Sequence, residues 1–66
     1  MNIVVNGQTE DCAPGASISR FLSERAYEAS AVVVERNGQI IARDTFAQTT
    51  LQEGDCLEIV QFVGGG

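Results

Sequence analysis

The chain has 66 residues, enough for one small domain, and at 44% hydrophobic and 20% charged it is too apolar for a disordered tail. Four basic residues against nine acidic ones give a net charge of −5; this excludes nucleic-acid binding through a basic face and a basic membrane-surface helix, and suits a basic protein partner. Without histidine, and with only two cysteines, the chain has no Ser–His or Cys–His dyad, no histidine metal site and no four-thiolate zinc or iron–sulfur centre.

Ile3-Val4-Val5 is a β-branched run that stops at Asn6-Gly7, a pair that accepts positive φ at both positions and so predicts a two-residue hairpin. The return strand covers roughly Gln8 to Cys12, and Ala13-Pro14-Gly15 ends it. Ser17 reads as a helix N-cap. Behind it, Ile18, Phe21, Leu22 and Ala26 form one apolar stripe at helical spacing, expected to be the core face of the only helix.

Ala31 to Glu35 predicts a third strand. Asn37-Gly38 predicts a second hairpin, with Ile40-Ile41-Ala42 returning. Asp44 to Thr50 is less regular, with one helical turn expected near Phe46. Glu53-Gly54-Asp55 is a turn, and Leu57 to Val63 is the last strand. Gly64-Gly65-Gly66 follows as a flexible tail, giving a domain over 1–63 and a tail over 64–66. The longest purely apolar run, Ala31–Val34, is too short to span a membrane. The opening Met1-Asn2-Ile3 does not start a secretory signal, so a cytoplasmic location is expected.

Strand, strand, helix, strand, strand, strand is the arrangement of the α+β, ubiquitin-like β-grasp. That resemblance implies a mixed five-stranded sheet in the order 2-1-5-3-4, with the last strand central and parallel to the first. One helix then covers one face. In that layout two strand spacings separate Cys12 from Cys56, about 9–10 Å. This exceeds the ~7 Å Cα limit for a disulfide. Two free, half-buried thiols near strand ends are expected.

Register sorts the faces. Around Asn37-Gly38, Val34 opposes Ile41 and Glu35 opposes Ile40. A charged Glu35 marks the outer face, which sends Val32, Val34 and Ile41 toward the helix, and Val33 and Ile40 outward. In the last strand an outward Glu58 sends Leu57 and Ile59 inward, and puts Val60 and Phe62 on the outer face. Val33, Ile40, Val60 and Phe62 thus predict an apolar docking patch beside the tail, with Glu58 as a rim charge toward a basic partner.

Glycine has no Cβ, so a Gly-Gly-Gly end can thread a narrow channel and present an unhindered carboxylate. By itself such a tail reads equally well as an inert, frayed end. The sequence resembles the ThiS family of thiamine-biosynthesis sulfur carriers along its whole length. The resemblance rests on the opening Met-x-Ile-x-x-Asn-Gly, the apolar strand into Glu35-Arg36-Asn37, and the ending Glu53-Gly54-Asp55 followed by Glu58 through Gly66. The ending is the specific part. The family's terminal Gly-Gly falls on Gly65 and Gly66, and Gly64 is an extra glycine ahead of it.

The resemblance implies a carrier, not an enzyme, with no bound cofactor and no metal. A ThiF-type enzyme adenylates the Gly66 carboxylate with Mg-ATP, while Gly64 and Gly65 lie in that enzyme's channel. Sulfur mobilised by a cysteine desulfurase converts the adenylate to a thiocarboxylate, and thiazole synthase receives the sulfur. The alternatives are a carrier for molybdopterin or another pathway, and a β-grasp binding module with an inert tail. All four basic residues are arginines; the absence of lysine reads either as a limit on self-acylation between carriers or as an accident of composition in a short chain.

Overall fold

The computed structural model describes residues 1–63; Gly64, Gly65 and Gly66 lie outside the described residues. Five strands form one sheet: β1 (Asn2–Val5), β2 (Gln8–Asp11), β3 (Val32–Arg36), β4 (Gln39–Ile40) and β5 (Cys56–Gln61). Their order is β2-β1-β5-β3-β4, with β5 parallel to β1 and antiparallel to β3. One helix, α1 (Ile18–Glu24), covers one face, so the architecture is the β-grasp.

Both Asn-Gly pairs make the expected turns. Asn6 and Gly7 have φ of 50° and 84°, and Asn37 and Gly38 have 52° and 85°. Positive φ at both central residues matches the right-handed twist of the flanking strands. The hairpin register is as expected, with Glu35 opposite Ile40 and the Ile41 N–H donating to the Val34 carbonyl at 2.9 Å.

The core lies between sheet and helix. Ile3, Val5, Val32, Val34, Leu57 and Ile59 enter it from the sheet, and Ile18, Phe21 and Leu22 from α1. The segment after β4 supplies Phe46 and Leu51, both buried. It also closes the helix N-terminus. Ile18 N–H donates to the Thr49 carbonyl at 2.9 Å, and Ser19 N–H to the Phe46 carbonyl at 3.1 Å. Arg20 N–H donates to Ser17 Oγ at 3.0 Å, so Ser17 is the N-cap. The first-turn donors that a helix cannot satisfy internally are thereby partnered.

Five expectations need correction. Ala26 is not on the core stripe: it is exposed, with φ 61°, just past the helix end. Tyr27 N–H donates to the Leu22 carbonyl and Ala26 N–H to the Ser23 carbonyl, the bonding of a Schellman C-cap. The chain reverses there so that Tyr27 packs on the core in its place. Ala31 closes a 3-10 turn (Ala29–Ala31), and β3 begins at Val32.

The return strand ends at Ile40 because the chain leaves the sheet edge to carry Phe46 into the core. The last strand ends at Gln61; Phe62 keeps one ladder bond, to the Ala31 carbonyl at 2.8 Å. The thiols are not a half-buried pair. Cys12 is in the core and Cys56 is exposed, and both are free.

Left-handed backbone is costly for alanine, which has a Cβ but no polar side chain to bond locally as Asn does. Ala26→Gly is therefore expected to stabilise the chain by about 0.5–1 kcal/mol. A urea midpoint raised at unchanged m-value would establish it, and a lowered midpoint would refute the C-cap reading.

Candidate functional site

The site to be built is the outer face of the sheet and the strand that leads to the tail. Strand β5 is central, so its backbone is held from both sides. On the β1 side, Val4 N–H donates to the Asp55 carbonyl and Asn6 N–H to the Leu57 carbonyl, each at 2.9 Å. There β1 turns away, and the Asn6 side chain takes over the ladder. Its Oδ1 accepts from Ile59 N–H at 2.8 Å, and its Nδ2 donates to the Ile59 carbonyl at 3.2 Å. The amide acts as one more peptide group of β1, extending the support of β5 toward the tail. On the β3 side, the ladder runs from Arg36 opposite Leu57 to Val32 opposite Gln61.

The start of β5 is fixed by Asp55, the one buried acidic residue described, at 6% exposure. Its carboxylate accepts from Arg36 Nε at 2.9 Å, Asn37 Nδ2 at 3.1 Å and Gln52 N–H at 2.8 Å. Asn37 Oδ1 in turn accepts from Cys56 N–H at 2.9 Å. Burial pushes the Asp55 pKa up. The hydrogen bonds from Gln52, Asn37 and Arg36, with the Arg36 charge, outweigh it and hold the carboxyl below its ordinary value. The β3–β4 turn and the β5 entry are thus tied through one carboxylate.

The outer face has the predicted membership. Val33 lies opposite Val60, and Glu35 lies between Glu58 and Ile40 in one row across three strands. Ile40 is 71% exposed, Val60 55% and Phe62 57%, while Val33 is half-buried. Glu58 is exposed beside them. Val63, read from the sequence as a strand residue, is 94% exposed and extends the apolar surface toward the tail.

One member of the face and one pairing across it were missed. Half-buried Val4 lies on this face opposite exposed Cys56, a placement that follows only from the β1–β5 register. Glu35, expected on this face, stands directly across from Glu58, a pairing that follows only from the β3–β5 register. Like charges opposed across a ladder repel. Gly64, Gly65 and Gly66, the expected channel and reacting residues, lie outside the described residues.

Comparison with known proteins agrees with this architecture. Residues 3–66 match the ThiS family. The chain is 30% identical over 66 residues to the sulfur carrier protein ThiS of Escherichia coli K12, covering all of both chains. A thiazole synthase of Paramagnetospirillum magneticum is 36% identical over 66 residues, and this match takes in the whole chain but only 20% of that protein. The chain thus spans about a fifth of the length of the thiazole synthases it matches. The crystal structure of the thiamine biosynthesis protein ThiS from Geobacter metallireducens superposes with a TM-score of 0.84 at 36% identity, covering both chains fully. With the family match running through the triple glycine and the same fold at this identity, the chain belongs to the ThiS family of sulfur carrier proteins.

Proposed function

We propose that the chain carries sulfur for thiazole synthesis in thiamine biosynthesis, as a thiocarboxylate on Gly66. The observation that carries this reading is the family match through Gly66, on a chain whose central strand leads to that tail. A carboxylate is a poor electrophile because its oxygen is a poor leaving group. An adenylating enzyme of the ThiF type supplies the activation in the cytoplasm. A Gly66 oxygen attacks the α-phosphorus of Mg-ATP, and pyrophosphate leaves. The acyl carbon is then attacked by the terminal sulfur of a persulfide that a desulfurase forms from cysteine, and AMP departs with the C–O electron pair. A thiol cleaves the S–S bond of the resulting acyl disulfide, leaving the thiocarboxylate on Gly66 and a new disulfide on the sulfur donor.

Thiazole synthase is the proposed acceptor of this sulfur. Support for that pairing comes from the two proteins named thiazole synthase that contain a segment similar to the whole of this chain. Gly64 and Gly65, without Cβ atoms, suit passage through a narrow channel to the activating centre.

Val33, Ile40, Val60 and Phe62 are the proposed docking surface, with Glu58 and Glu35 facing basic groups of the partner. A carrier must leave each partner in every cycle, which calls for a modest interface and fast dissociation.

Intact-protein mass spectrometry tests the reading. After incubation with the adenylating enzyme, Mg-ATP, a desulfurase and cysteine, the chain is expected to gain the mass of one sulfur in place of one oxygen, mapped to Gly66. No gain, with an enzyme active on its own carrier, refutes it. Phe62→Ala is expected to raise the KM for the adenylating enzyme about tenfold with kcat little changed, as for a contact that serves binding alone. An unchanged KM refutes the docking face and leaves the tail chemistry standing.

A further inference from the structure

We propose that the amine-free surface of this chain protects its activated form from being ligated to another copy. The inference rests on the Gly66 reading above and deepens it.

The 66 residues contain no lysine, so the Met1 α-amine is their one aliphatic amine. That amine is engaged: it donates to the Cys12 carbonyl at 2.8 Å and lies 3.5 Å from Asp11 Oδ1. Long, polar surface positions are filled instead by Gln8, Gln39, Gln48, Gln52 and Gln61, all exposed, and by arginine.

Buried or half-buried acceptors engage the guanidinium at three of the four arginines, and forked contacts account for it at two, Arg25 and Arg43. Arg25 bonds Glu10 through Nε at 3.0 Å and the Asp11 carbonyl through Nη2 at 2.7 Å, and its Cζ lies 4.4 Å from the Phe21 ring centre. Arg43 divides its donors between the Ala29 and Val32 carbonyls. Arg36 bonds buried Asp55. A single ammonium cannot copy the forked contacts of Arg25 and Arg43.

Arg20 is different. It is 56% exposed, and its one side-chain contact is with Glu24 at 2.9 Å, one helical turn on. Lysine makes such a pair equally well. No feature of the fold requires guanidinium there, nor a neutral amide at the exposed glutamines.

Amine chemistry supplies the reason. An unprotonated amine attacks the acyl carbon of the adenylate. A C–N bond forms, the C–O bond to AMP breaks, AMP leaves with the electron pair, and the nitrogen gives its extra proton to water. The product is an amide, inert to sulfur nucleophiles, and both copies are lost. Guanidinium stays protonated and so has no free nitrogen lone pair to offer. Exposed Cys56 is not a comparable hazard, because an acyl group captured there is a thioester, still open to attack by a sulfur nucleophile.

The test uses Arg20→Lys and Gln48→Lys, two substitutions at exposed positions, so the result does not depend on one variant folding. Each is incubated with the adenylating enzyme and Mg-ATP, without a sulfur donor. ATP–pyrophosphate exchange reports activation, and intact mass reports carrier dimers joined with loss of one water. Both variants are expected to form dimers through a Gly66–Lys amide about tenfold above wild type, increasingly as pH rises toward the lysine pKa of about 10.4. Exchange at the wild-type rate with no excess of dimer overturns the proposal while the Gly66 reading stands. Wild type that dimerises as fast as the variants overturns it as well. Wild type without exchange removes the Gly66 reading, and this inference with it.

Discussion

Asp55→Ala is expected to cost about 3 kcal/mol of folding stability. The carboxylate is buried and accepts from three donors on separate segments: Arg36 in β3, Asn37 in the β3–β4 turn, and Gln52 ahead of β5. Removing it leaves those donors without their acceptor and Arg36 without its counter-ion. A chain of this size has only about 3–5 kcal/mol to lose. The alanine variant should therefore be largely unfolded at 37 °C by circular dichroism. Asp55→Asn keeps an acceptor oxygen and should fall between the two. An alanine variant as stable as wild type would show that the knot at the β5 entry is not structural.

The same group gives a pH dependence of known sign. Its folded-state pKa lies below the ordinary carboxylate value, so the unfolded chain takes up the proton first as pH falls. The stabilisation is complete above the unfolded pKa of about 3.9 and is lost as pH falls through the folded value. The asparagine variant should lack this part of the acid sensitivity. Denaturant midpoints measured across the acid range, wild type against Asp55→Asn, should therefore converge as pH drops.

Amidation of the Gly66 carboxyl is expected to abolish sulfur loading and leave stability unchanged. The proposed activation requires an anionic oxygen to attack ATP, and an amide nitrogen has its lone pair delocalised into the carbonyl. The loss should therefore be complete, seen as no exchange of pyrophosphate and no gain in mass. The domain should not register the change, because among the described residues the last ladder bond is that of Phe62 to Ala31 and Val63 is exposed. Semisynthesis of the amidated chain and a thermal melt beside the loading assay test both halves. Full loading of the amidated chain would mean that the chemistry lies elsewhere and the tail is inert. Retained binding to the adenylating enzyme, measured by competition against wild type, separates docking on the sheet face from reaction at the tail.

Much of the fold could be read from the sequence because it is specified locally. Two Asn-Gly pairs dictate two tight hairpins, since only such residues take positive φ in succession at low cost. A period of two in β3 and β5 decides which side chains are buried. A single charged residue, Glu35 or Glu58, then settles the phase. Ser17 marks the helix start through a bond to a residue three positions away. The outer-face patch follows from the same alternation, which is why Val33, Ile40, Glu58 and Val60 fell together as expected.

Tertiary structure decided what depends on partners distant in sequence. Ala26 fits the apolar stripe by spacing, yet the helix stops before it, because a left-handed turn there places Tyr27 against the core. Asn6 and Asn37 look like turn residues alone; their side chains also bond β5, 53 and 19 positions away. Asp55 looks like a turn acid and is instead the buried acceptor between three segments, because the donors that offset its desolvation converge only in the folded chain. Local sequence thus determined where the chain turns and which face of each strand is apolar, since both depend on short-range sterics and side-chain period. Only the packed sheet decided which polar groups meet, since that depends on strand order, which no local pattern encodes.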